Sequence, residues 1–143
     1  MAYFFLVFSL LSGTGVAVET DVVYYLTGQL HPLVEVHVEL NGKQIKSFRP
    51  ESGRSKVFLK QIDAGMIKPG RNEMIVHWEI LEGEAAEGHA FGKSGYRISL
   101  KHQKDPTDRR TAIDLVRVAG IEVPLPAPGS TGSDRLHFQT LVQ

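Results

Sequence analysis

The stretch Leu33-Val34-Glu35-Val36-His37-Val38-Glu39-Leu40-Asn41-Gly42 decides the fold. Side chains alternate with a period of two along an extended chain. Val34, Val36, Val38 and Leu40 therefore point one way, and Glu35, His37 and Glu39 the other. One apolar face and one polar face describe a half-buried strand. Asn41-Gly42 then reverses the chain, because a type I′ turn needs positive φ at both central residues and this dipeptide supplies it. A two-residue loop sets Leu40 opposite Lys43, Val38 opposite Ile45 and His37 opposite Lys46, so apolar meets apolar and polar meets polar.

The same alternation continues along the chain. Asp21 to Thr27 and Lys56 to Ile62 read as extended runs. A short helical turn fits Asp63-Ala64-Gly65-Met66, and Pro69-Gly70 suits a type II turn. In Glu73 to Leu81, Met74, Val76, Trp78 and Ile80 share one face, with Glu73, His77 and Glu79 on the other. Tyr96, Ile98, Leu100 and His102 alternate with Arg97, Ser99, Lys101 and Gln103. Thr111 to Val118, Ile121 to Leu125 and Arg135 to Val142 are further strands, the last reached through a Pro/Gly/Ser connection over residues 124–133. Seven or eight short strands between turn signals predict an all-β, antiparallel two-sheet β-sandwich. Its core is expected at Val36, Val38, Val76, Trp78, Ile98 and Leu100.

Residues 1–18 contain no charged side chain, and Tyr3 to Leu11 is a compact apolar run too short to span a bilayer. Small residues follow at Gly15-Val16-Ala17. This is the layout of a secretory signal peptide, residues 1–17, cleaved after Ala17. The expectation is one exported domain over residues 18–143, periplasmic or extracellular, with no membrane span in the mature chain. The full sequence of 143 residues has no Cys, which excludes disulfides, thiolate metal sites and a Cys nucleophile. Packing alone then has to hold the domain together. Sixteen Lys and Arg balance sixteen Asp and Glu, which gives no overall field for nucleic acid.

Several residues along Gly28, Val34 to Leu40, Asn41-Gly42-Lys43, Phe58, Ile67 to Asn72 and Ile75-Val76 form an ordered string. It resembles the V-x-V-N-G-K … F … L-x-x-G-x-N-x-I-x-V signature of bacterial immunoglobulin-like domains. It is also similar to the jelly-roll sugar-binding domains appended to glycoside hydrolases of the β-galactosidase type. The likeness spans residues 28–81 and implies an immunoglobulin-like or jelly-roll sandwich. The similarity to the sugar-binding domains, with the basic strand 97–103, motivates a carbohydrate-binding module as the alternative expectation.

Gly88 to Ser94 narrowly misses the phosphate-binding loop, since Glu87 stands where the first glycine belongs and an alternating strand follows instead of a helix. The long connection from Glu82 to Gly95 is acidic in its first half and mixed in its second, and long loops in compact domains often carry contacts. Glu84, Glu87, His89, Phe91 and Lys93 are its candidates, with the outward-facing Tyr25 and the basic strand residues Arg97 and Lys101. The expected partner is a protein or an envelope glycan. Trp78 shares its phase with the core face and is read as packing. His37 and His77 are metal candidates only if their strands pair. There is no G-x-S-x-G elbow and no Ser-His-acid spacing, so neither an enzyme nor a cofactor is expected. Either terminal strand, Asp21–Thr27 or Arg135–Val142, is expected at a sheet edge, open to strand addition.

Overall fold

A computed structural model of the chain describes residues 22–51, 53–85 and 93–140. The expected leader and the end of the last strand lie outside them. Eight strands run in order: β1 (Val23–Leu30), β2 (Val34–Leu40), β3 (Lys43–Phe48), β4 (Lys56–Ile62), β5 (Gly70–Ile80), β6 (Ser94–Gln103), β7 (Ala112–Glu122) and β8 (Thr131–Thr140). Short 3₁₀ turns at Ala64–Met66 and Arg109–Thr111 are capped by Asp63 and Asp108. The first sheet has the order β4-β1-β6-β7, the second β3-β2-β5-β8, and every pairing is antiparallel. Among the described residues no helix is long and apolar enough to cross a membrane.

The two sheets bury their inner faces against each other. Leu26 and Leu30 of β1, the alternate residues Val34 to Leu40 of β2, Met74 and Val76 of β5, and Tyr96, Ile98 and Leu100 of β6 form the core. The sandwich is closed beside its edge strands β3 and β4, where the Phe48 and Phe58 rings stack with centroids 3.8 Å apart. Trp78 packs against the margin of the core.

Asn41 and Gly42 take positive φ, 52° and 80°, as the turn requires. The register expected for this hairpin is corrected one step beyond it. Leu40 faces Lys43, but a bulge between Val38 and Glu39 then sets Val38 opposite Lys46 and His37 opposite Ser47. The inserted residue brings Phe48 opposite Val36, on the inner face where its ring meets Phe58.

Two boundaries and one strand position also differ from the sequence reading. The strand predicted to stop at Val118 continues through Gly120 as β7. Gly120 sits opposite Tyr96, and a methyl group there would overlap the Tyr96 ring and the Asp134 carboxylate. β8 begins at Thr131, inside the stretch read as a linker. Gly132 leaves room for the Trp78 ring directly across from it. β1, expected at an edge, lies between β4 and β6, whereas β8 is an edge as expected.

The chain's two asparagines join the hairpin to the β4–β5 connection. Asn72, 1% exposed, accepts from the Lys68 N–H and the Asn41 Nδ2, both at 2.8 Å, and donates to the carbonyls of Lys68 and Gly70. Asn41 also donates to the Met66 carbonyl at 2.9 Å and accepts from the Glu73 N–H at 2.9 Å. Buried polar atoms must find partners, and here each amide satisfies backbone groups that no strand ladder reaches.

Candidate partner-binding face

Strand alternation sends Leu26 and Leu30 of β1 inward and Tyr25, Thr27 and Gln29 outward. The register then assembles the outer face of the first sheet row by row. Tyr25 lies between Gln61 and Lys101, Thr27 between Leu59 and Ser99, and Gln29 between Val57 and Arg97. Tyr25, Arg97 and Lys101, chosen separately from sequence, thus share one face. The Tyr25 and Gln29 rows stand about 13 Å apart along the strand.

The polar groups of this face are held in place. Arg97 Nη2 donates to Gln29 Oε1 at 3.0 Å. Lys101 Nζ is 2.9 Å from Asp114 Oδ1, and Arg117 approaches the same carboxylate from β7. Beside them Val57 is 75% and Leu59 66% exposed, the two most exposed large apolar side chains among the described residues. The sequence reading passed over both. The signal was present: in Lys56-Val57-Phe58-Leu59-Lys60 apolar residues occupy both strand phases, so Phe58 faces the core and its neighbours face out.

The remaining loop candidates are not brought to this face as a group. Glu84 is exposed and lines a cleft of about 220 Å³ with Arg49, Pro50 and Leu81. Lys93 is exposed, and its carbonyl accepts from the Val123 N–H at 3.0 Å. Glu87, His89 and Phe91 lie outside the described residues.

The outer face of the second sheet carries the histidines. β2 and β5 do pair, and His37 lies directly opposite His77. Among the described residues, however, no three His, Asp or Glu side chains converge as a metal would require. The side chains meet each other instead. His77 Nε2 is 3.5 Å from Glu39, Arg49 is 3.7 Å from Glu35, and Glu73 accepts from Arg135 at 3.0 Å and interacts with His137 at 3.1 Å. Ser47 Oγ meets His37 Nδ1, but Glu35 stands 3.9 Å from the other ring nitrogen, beyond hydrogen-bond distance.

A third feature opens at the end of the sandwich where β1 begins. A cleft of about 450 Å³ is lined by Tyr24, Ile67, His102, Leu115, Gln139 and Thr140, among others. The Tyr24 and His102 rings stack 5.5 Å apart. Burial, reinforced by the charge of Lys104, lowers the His102 pKa, and burial raises that of Tyr24. Of the consecutive tyrosines, one lies on the outer face of the first sheet and the other lines this cleft.

The chain matches no protein-family profile, no curated protein sequence and no solved structure. Its function is therefore argued from these surfaces alone. The outer face of the first sheet offers exposed apolar area, an amphipathic tyrosine and cations together. On the second sheet's outer face Glu35, Glu39 and Glu73 each have a cation or an imidazole within 4 Å, while Glu79, opposite Glu35, has none among the described residues.

Proposed function

We propose that the chain is a non-catalytic, exported β-sandwich interaction domain. It acts in the cell envelope or at the surface by protein–protein contacts through the outer face of its first sheet. One observation carries this reading: Val57 and Leu59 are left exposed on the face that also holds Arg97 and Tyr25, Val57 in the row of Arg97 and Leu59 one row from Tyr25. Apolar side chains beside tyrosine and arginine match the composition of the buried centres of protein interfaces. The apolar run of residues 3–11 followed by Gly15-Val16-Ala17 supports export.

The test is quantitative cross-linking in cells of the source, comparing the native chain with a Tyr25→Ala/Leu59→Asp variant of unchanged thermal stability. Loss of the cross-linked adduct from the variant supports the reading. An adduct formed equally by both chains overturns it.

Carbohydrate binding is a second reading, favoured by a different observation. Tyr24 lines the end cleft with the polar side chains of His102, Gln139 and Thr140, an arrangement able to stack on a sugar ring and hydrogen-bond its hydroxyls. A glycan array read with the native chain and with Tyr24→Ala separates the two. Hits lost in Tyr24→Ala support sugar binding, and an array without hits removes it.

A further inference from the structure

Residues 43–60 hold six cations, Lys43, Lys46, Arg49, Arg54, Lys56 and Lys60, against one carboxylate, Glu51. The fold gathers most of them along one side of the sandwich, because β3 and β4 are edge strands of opposite sheets joined through the Phe48–Phe58 stack. Arg49 is near Glu35, but among the described residues Lys43, Lys46, Arg54, Lys56 and Lys60 form no ion pair.

The register fixes where the lysines sit. Lys56 and Lys60 are opposite Leu30 and Leu26, in phase with Phe58, so they lie on the inner side of β4. Lys46, opposite Val38, lies on the inner side of β3 with its ammonium 5.9 Å from the Phe48 ring centroid. Val57 and Leu59 occupy the outer side of β4. The free edge of β4 thus presents two different strips: cations toward the gap between the sheets and bare aliphatics on the outer face. An edge strand also exposes backbone N–H and C=O groups that another strand can pair with.

We propose that β4 is an acceptor edge for an extended acidic segment of a partner protein, added as a fifth strand of the first sheet. A strand laid beside β4 places alternate residues opposite Lys56, Phe58 and Lys60 and the others opposite Val57 and Leu59. Carboxylates opposite Lys56 and Lys60 meet unpaired ammonium groups, the residue between them faces the buried Phe58 ring, and aliphatic residues on the second set cover the exposed pair. Inward-facing lysines also bar basic strands, including the β4 of a second copy, since like charges would meet across the new pairing. The partner is recognised by an alternation of acid and aliphatic residues. This deepens the proposed function and rests on its placing the contact on the first sheet.

The experiment uses the full chain and a labelled seven-residue probe alternating Glu and Val, with a Lys/Val peptide of the same length as control. The proposal expects saturable binding of the acidic probe, at least tenfold tighter than the control. It expects affinity to fall severalfold between low and physiological salt as the exposed charges are screened. Lys56→Glu/Lys60→Glu should weaken the acidic probe about tenfold or more, two charge contacts having turned repulsive. It should leave the melting temperature nearly unchanged, and amide exchange should slow in residues 56–62 on binding. Equal binding of both peptides overturns the proposal, as does slowed exchange confined to the second sheet. So does self-association of the native chain that the acidic probe fails to reverse. If the probe does not bind while Tyr25→Ala/Leu59→Asp still abolishes the cellular adduct, strand addition is wrong and the interaction face stands.

Discussion

The two outer faces of this sandwich use similar residue types differently. On the second sheet Glu35, Glu39 and Glu73 each lie within reach of a cation or an imidazole of the same face. On the first sheet Arg97 and Lys101 are anchored, but the neighbouring strip of Val57 and Leu59 is covered by nothing among the described residues. Charges matched within the chain offer a partner little, because a new contact must first replace the old one. Exposed aliphatic area returns free energy whenever a partner removes it from water. The difference is what the proposed function rests on: recognition through the first sheet, with the second sheet's face left to stability and solubility.

This contrast depends on a frame that holds both sheets in place, and the frame is where the largest effect is expected. Asn72→Ala removes four hydrogen bonds and strands the Lys68 N–H and one N–H of the Asn41 amide. It should cost about 3 kcal/mol of folding free energy, measured by urea denaturation. Next comes a test of the second face. Glu73→Gln removes the carboxylate between Arg135 and His137 and should cost no more than about 1 kcal/mol, a difference that shrinks in high salt.

Acid provides a smaller effect at the end cleft. Burial holds the His102 pKa below that of the unfolded chain, so the unfolded state takes up the proton first as pH falls. Stability from this group is complete above the unfolded histidine pKa and is lost as pH drops toward the folded value. Native protein should melt lower at pH 5 than at pH 7.5, and His102→Phe, which keeps a ring against Tyr24, should reduce that gap. The smallest stability effect belongs to the face assigned to recognition. Val57→Thr/Leu59→Thr should change stability by less than about 0.5 kcal/mol, since both side chains already stand in water. The same variant should abolish the cellular adduct.

Much of the fold was legible because it was written in alternation. Val34 to Leu40 and Lys56 to Ile62 gave their strands directly, and Asn41-Gly42 placed the hairpin. The errors cluster at glycines. Gly120 and Gly132 read as breaks, yet each sits inside a strand because the ring of Tyr96 or Trp78 fills the place of a side chain. That reason lies on another strand and leaves no local trace. The bulge at Val38 was hidden for the same reason, since its cause is Phe48 reaching Phe58 across the sandwich. On the candidate face, Tyr25, Arg97 and Lys101 were individually legible, but their convergence needed β1 to be flanked by β4 and β6, which strand order alone decides. Val57 and Leu59 went unnoticed because an apolar residue in a strand is ordinarily assigned to the core. Only the edge position of β4, with Phe58 filling the inner phase, turns them outward.

Hydrogen–deuterium exchange of the chain, free and cross-linked to its cellular partner, tests the central claim most directly. The account predicts slowed exchange in β1, β4 and β6, with β2, β5 and β8 unchanged. Protection confined to β2, β5 and β8 would contradict it.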